Sequence, residues 1–142
     1  MAAPIRATEE EVKLLARLMR AEAEEDGELG MLLVGNVGVN RVIAECLDFT
    51  EIDTIKKMVF QSPGGFEAVR YSYFYHRPRE RERRLARQVI NGNKYWPGSY
   101  ALWFYAPTDA CAPTFFNQSL EGRYKSHCFY VPSPQDCPSV YR

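Results

Sequence analysis

Between Thr8 and Ile43 the chain reads as two helices in immediate succession, and the second restricts how they can pack. Glu28 to Ile43 carries Gly30, Gly35 and Gly38, each about 0.5–1 kcal/mol worse than Ala inside a helix. Close backbone approach to the preceding helix is the expected compensation. That first helix opens with a capping box, Thr8-Glu9-Glu10-Glu11, in which Thr8 caps and Glu11 reaches back. It runs to about Asp26 and stops at Gly27. A helical hairpin results, with Glu22 near the bend.

Glu22 interrupts the apolar face of the first helix. Leu15, Leu18 and Met19 recur at helical spacing, and Glu22 continues their face seven residues after Leu15 and four after Leu18. A carboxyl there is partly desolvated, which raises its pKa and favours the neutral acid. Such an acid can protonate a leaving-group oxygen near neutral pH. The competing reading makes Glu22 the first member of a solvated acidic run, Glu22, Glu24, Glu25 and Asp26.

Composition narrows the function classes. Lys plus Arg equals Asp plus Glu at 18 each, which argues against a partner held mainly by charge, such as a nucleic acid. Nine Tyr, eight Phe and two Trp suit a cleft that stacks on sugar rings, and suit an ordinary core equally well. The start Met1-Ala2-Ala3-Pro4-Ile5-Arg6 lacks a charged segment followed by an apolar one, so no signal peptide is expected. No apolar run reaches membrane-spanning length. A chain made and retained in a cytoplasm is the expectation. Cys46, Cys111, Cys128 and Cys137 are then expected as thiols, or as a disulfide formed late in an oxidising layer. No paired C-x-x-C spacing supports zinc, and His127 and Cys128, adjacent on a strand, face opposite ways. The same objection meets a Cys-His nucleophile. No metal and no cofactor are expected.

The remainder reads in short elements. Thr54 to Phe60 suits a short helix, and Gln61-Ser62-Pro63-Gly64-Gly65-Phe66 a loop. Tyr71, Tyr73 and Tyr75 alternate as an extended segment would. Pro78 suits the first turn of a helix ending near Asn91-Gly92. Arg77, Arg81 and Arg84 share a face of it, either for an anionic polymer or as a solvated face with local ion pairs; zero net charge favours the ion pairs. Asn36 and Asn40 are spaced to bridge helices. Tyr100 to Tyr105 and His127 to Val131 read as strands, paired across a long loop holding Phe115, Phe116, Asn117 and Gln118. With no repeat or linker, residues 1–142 are expected to form one α+β domain, mainly helical, with a small antiparallel sheet near the carboxyl end.

Six blocks in order carry a resemblance. They are Leu15 to Ala23, Val37-Gly38-Val39-Asn40-Arg41-Val42, Met58 to Glu67, Asn91-Gly92, Ala101-Leu102-Trp103-Phe104-Tyr105, and Gly122 to Tyr130. Together they resemble the spore cortex-lytic cell wall hydrolases of the SleB/CwlJ type, nearest the CwlJ branch. The resemblance implies a lysozyme-like, lytic-transglycosylase-like fold acting on spore cortex peptidoglycan during germination. It places the family's catalytic acid on Glu22. In the SleB branch that acid protonates the glycosidic oxygen after muramic acid, and the muramic C6 hydroxyl closes onto C1. One acid, later serving as base, suffices, whereas ordinary glycoside hydrolysis uses two carboxyls about 5 Å or about 6.5–9.5 Å apart. Asp26 stands where SleB-type chains tend to have Glu, and Ala106-Pro107 where they often have Asn-Pro.

Gln61, Phe66, Tyr105, Asn117 and His127 are the residues expected to line the cleft. The resemblance further implies synthesis in a mother cell, deposition at the spore coat or outer cortex, a coat-protein partner and a response to calcium dipicolinate. Rival readings are a coat-associated glycan-binding or activating module without catalysis, and an N-acetylmuramoyl-L-alanine amidase, which would require zinc.

Overall fold

Thr8 caps α1 (Glu9–Ala23) as its sequence demands. Its hydroxyl accepts the Glu11 N–H at 3.1 Å, and the Glu11 carboxylate accepts the Thr8 N–H at 3.1 Å. A 3-10 turn, Glu24–Asp26, extends the rod. Gly27 then reverses the chain at φ 80°, a region where glycine is unstrained. The computed structural model describes residues 5–62 and 65–142. Met1 to Pro4, and the Pro63-Gly64 pair of the expected loop, lie outside the described residues.

α2 (Gly27–Ala44) is the centre of the molecule. Every residue from Gly30 to Val42 is buried, so over that span the helix has no solvent face. α1, α3 (Ile55–Val59) and α4 (Glu80–Ile90) pack around it, with Leu15, Leu18, Met19, Val34, Met58, Leu85 and Val89 in one apolar cluster. The expected close approach to α1 occurs at Gly35, but the glycines also admit α3 and α4. A Cβ on Gly35 would lie 2.9 Å from the end of Met19 and from Val89, and one on Gly38 would lie 2.9 Å from Met58. Gly30 instead faces Asp26 of its own turn.

Asn36 and Asn40 do not bridge helices. They hold the chain between α4 and the sheet. Asn36 donates to the Asn93 carbonyl and accepts the Tyr95 N–H, both at 2.8 Å. Asn40 donates to the carbonyls of Gly98, Ser99 and Ala101 at 3.2, 3.1 and 2.9 Å, and Arg41 Nε to that of Leu102 at 2.8 Å. Residues 93–102 lack regular structure to pair these groups, and buried backbone must be paired by something.

The sheet is antiparallel, in the order β1-β4-β3-β2: β1 (Trp103–Tyr105), β2 (Thr114–Phe115), β3 (Gln118–Tyr124) and β4 (His127–Val131). β1 pairs β4 as expected, with Trp103 opposite Tyr130 and Tyr105 opposite Cys128, although only its last three residues are strand. The stretch expected as a loop is largely the β2–β3 hairpin. Phe116 and Asn117 make its two-residue turn, with φ 53° and 62°. Positive φ at both positions matches the strand twist.

Three further expectations change. Tyr71 to Tyr75 is not extended; two 3-10 turns, Glu67–Arg70 and Ser72–Tyr75, occupy the region. The buried Arg20 guanidinium gathers the Tyr73, His76 and Arg77 carbonyls at 3.2, 2.6 and 2.8 Å, and Phe74 alone turns inward, which produces the alternation. α4 begins at Glu80 with Arg79 as its cap. Its arginines make ion pairs: Arg81 to Glu82 at 3.3 Å, Arg84 to Glu28 at 3.2 Å and Arg87 to Glu9 at 2.9 Å. The cysteines are not thiols. Cys46 joins Cys137, and Cys111 joins Cys128. The bridges tie down the carboxyl-terminal segment and the β1–β2 connection.

The disulfides span 91 and 17 residues of chain. Loop-closure entropy assigns them about 4–5 and about 3 kcal/mol respectively. Paired Cys-to-Ala variants should lose stability in that order in urea unfolding; equal losses would contradict the entropic account.

Candidate active site

The hairpin bend brings Glu22, in the last turn of α1, to the floor of a cleft between the helices and the sheet. The cleft holds about 730 Å³. A second arm of about 370 Å³ continues past Glu22 and His127, which border both. The wide arm has aromatic walls, Phe66, Trp103, Phe104 and Tyr105 with Phe115 and Phe116 of the hairpin. The narrow arm is polar and acidic, bounded by Glu24, Glu25, Asp26 and Ser126.

Glu22 is half-buried and accepts the Ala68 N–H at 3.3 Å. Its pKa is raised, chiefly by desolvation. The Ala68 N–H, His127 and Arg41 oppose that shift, and the Glu67 charge adds to it. Burial outweighs them, so the neutral acid persists to higher pH than in a solvated Glu. The acidic run is therefore not one solvated group. Glu24 is tied to Arg79 and Tyr73, Asp26 is buried, and Glu25 is exposed.

Asp26 and His127 form a short, buried polar contact at the junction of the two arms. His127 Nδ1 lies 2.7 Å from Asp26 Oδ2, and the Ser126 hydroxyl donates to the same oxygen at 2.7 Å. Burial disfavours the Asp26 charge, but the hydrogen bonds from Ser126 and His127 prevail and hold its pKa below the usual value. Asp26 is therefore an anion at neutral pH and no proton donor.

Glu22, Gln61, Phe66, Tyr105 and His127 all line the wide arm. Asn117 does not; it is exposed in the hairpin turn, and its neighbour Gln118 reaches the wall instead. Gln61 donates to the Asp48 carbonyl at 3.1 Å. Arg41 is the cleft residue that the sequence reading passed over. Its guanidinium lies 4.5 Å from the Phe66 ring centroid and 4.9 Å from that of Phe49. Burial lowers its pKa to about 10, and Glu22 opposes the shift, so it remains a cation. Its signal was present: a lone charge inside an otherwise apolar helical run. Among the described residues no group of three or more His, Cys, Asp or Glu could hold a metal ion, and no helix is long and apolar enough to cross a membrane.

The fold is that of SleB catalytic domains. It matches the solved catalytic domain of Bacillus cereus SleB with a TM-score of 0.73 at 23% identity, covering 90% of this chain and 94% of that one. It matches the catalytic domain of the germination-specific lytic transglycosylase SleB from Bacillus anthracis at 0.72 and 22%, covering 90% and 99%. The chain belongs to the cell wall hydrolase family, whose model matches residues 25–130. The cell wall hydrolase CwlJ of Oceanobacillus iheyensis is 59% identical over 99% of both chains, and that of Bacillus subtilis 51% identical over 98% of this chain and 97% of that one. The matched family span begins just after Glu22, whereas these relatives align over nearly the whole chain.

The raised pKa of Glu22 has a measurable consequence. The native chain keeps this proton to higher pH than the unfolded chain does, so its contribution to stability falls as pH rises through the Glu22 titration. Glu22→Gln is neutral throughout and lacks that decline. Urea unfolding from pH 4 to 8 should show the variant gaining on wild type as pH rises; parallel curves would mean that Glu22 is not desolvated.

Proposed function

We propose that this chain cleaves the glycan strands of spore cortex peptidoglycan during germination as a lytic transglycosylase, with Glu22 as the general acid. The observation that carries this reading is one carboxyl with a raised pKa on the floor of an aromatic cleft. Family membership supports the wall substrate, and the SleB and CwlJ relatives support the germination setting. Glu22 protonates the glycosidic oxygen as the C1–O bond breaks. The muramic C6 hydroxyl then closes onto C1, and the Glu22 carboxylate is available to take its proton. Arg41 offsets the charge that Glu22 acquires.

Two features favour ring closure over hydrolysis. Asp26 is occupied by Ser126 and His127. Glu67 borders the cleft but is exposed and accepts the Tyr71 hydroxyl at 3.1 Å. Both carboxyls are engaged with partners within the protein, which supports the one-acid route over the two-carboxyl one. The aromatic wall offers ring faces for sugars to stack on. The proposal includes a mother-cell origin, a place at the spore coat or outer cortex, a coat-protein partner and activation by calcium dipicolinate, all on the strength of the resemblance to CwlJ.

Mass spectrometry of cortex fragments tests the reading. Wild type should yield anhydromuramic ends, and Glu22→Gln should lower the rate by about 10²–10⁴-fold while still binding the glycan. Reducing ends would mean hydrolysis, with Glu67 the carboxyl to examine. No fragments from wild type, with coat extract and calcium dipicolinate supplied, would make the chain a binding module.

A further inference from the structure

The chemistry above makes no use of Tyr71, Tyr73 and Tyr75, the alternating tyrosines of the sequence. They are 57%, 41% and 55% exposed, whereas Phe74 between them is buried. The 3-10 turns Glu67–Arg70 and Ser72–Tyr75 set them there. A single exposed ring is ordinary on a protein surface. Rings grouped on one short segment form a patch, and a patch marks a surface of contact.

These rings are held in place. The Tyr71 hydroxyl donates to Glu67 Oε1 at 3.1 Å, that of Tyr75 to the Val69 carbonyl at 2.8 Å, and that of Tyr73 to the Glu24 carboxylate. The Arg20 guanidinium lies 4.8 Å from the Tyr73 ring centroid and grips the main chain of the same segment through the Tyr73 and His76 carbonyls. Each hydroxyl is engaged within the protein, so the exposed part of each side chain is chiefly ring. A ring already fixed loses little side-chain entropy when a ligand covers it.

The patch is continuous with the cleft. Tyr73 borders the narrow arm. Glu67, which anchors Tyr71, borders the wide arm, and Ala68 of the same turn donates its N–H to Glu22. The wide arm has an exposed ring of its own, Phe116 in the hairpin turn, at 69%. Each arm is thus bordered by an exposed ring, and Glu22 is common to both arms.

We propose that Tyr71, Tyr73 and Tyr75 form a ledge that continues the narrow arm and binds the polysaccharide strand beyond the bond cleaved at Glu22. This assignment rests on the glycan-cleaving reading above. The substrate of that reading is a polymer, so the strand must leave the cleft, and a tyrosine stands where the narrow arm opens. The C–H faces of a sugar ring pack on an aromatic face while its hydroxyls stay in water. Continuity with the cleft favours this occupant over a protein partner.

The experiment compares long cortex strands with tetrasaccharide fragments. In the double variant Tyr71→Ala, Tyr75→Ala, the ratio of kcat/KM on strands to kcat/KM on fragments should fall at least about threefold, mainly through KM on strands. Both activities scale with the fraction of protein that folds, so the ratio does not depend on it. The double variant Tyr71→Phe, Tyr75→Phe keeps the rings and should keep most of the ratio; an equal loss would show that the hydroxyl bonds matter rather than the ring faces, and would overturn the ledge. In a Glu22→Gln background the two alanine substitutions should raise the Kd for strands at least about threefold. An unchanged ratio with an unchanged Kd would overturn the ledge. So would capture of a coat protein that the alanine variant loses while its glycan affinity stays the same, which would make the patch a protein-docking surface. A wild type that binds strands through these tyrosines yet cleaves none would overturn the cleavage reading and leave the ledge standing.

Discussion

A helix with no solvent face organises this molecule. Because α2 is covered on every side from Gly30 to Val42, its polar side chains there cannot turn to water, and each must find a partner within the protein. Asn36, Asn40 and Arg41 do so by capturing carbonyls of residues 93–102. These contacts fix how β1 leaves the helical half, and so where the aromatic wall stands relative to α1. The glycine notches at Gly35 and Gly38 set the other side, letting α1 and α3 approach until Met19 and Met58 touch the α2 backbone. Glu22 and the wall are therefore held against a common reference, although they lie far apart in sequence.

The Asp26–His127 contact joins the two halves again at the site itself. It links the bend of the helical hairpin to the first residue of β4, across 101 positions of chain. Buried carboxylate and imidazole would each be costly alone. Together with Ser126 they satisfy one another, and Asp26 stays ionised while Glu22, on the same short segment, is pushed towards the neutral acid. Two neighbouring carboxyls thus differ because one receives strong donors and the other mainly loses water.

Much of this was legible in the sequence where a local rule governed. The capping box, the glycine stop, the two long helices and the β1–β4 pairing follow from periodicity and turn chemistry. Glu22 stood out because an acid broke an apolar face. What failed to show depended on contacts distant in sequence. Tyr71 to Tyr75 looks extended because Arg20, more than fifty residues earlier, decides its shape. The hairpin at Phe116-Asn117 was hidden because a turn residue also looks like a sugar-binding amide. A disulfide was one of two states left open, but which cysteines pair is set by three-dimensional proximity and could not be read from spacing.

The two halves contribute unequal chemistry. The helical hairpin supplies Glu22, the proposed acid, and, through α2, the Arg41 cation. The sheet supplies the imidazole and the rings. Burial raises the Glu22 pKa more than the Ala68 N–H, His127 and Arg41 lower it, which favours the neutral acid. Once the proton has gone, the same groups stabilise the carboxylate that remains. For the proposed acid role the opposing influences act at different moments: desolvation favours the protonated form, and the nearby Arg41 cation favours the carboxylate that remains. For that proposed role, desolvation alone would hold the proton more firmly, and the charges alone would release it at lower pH.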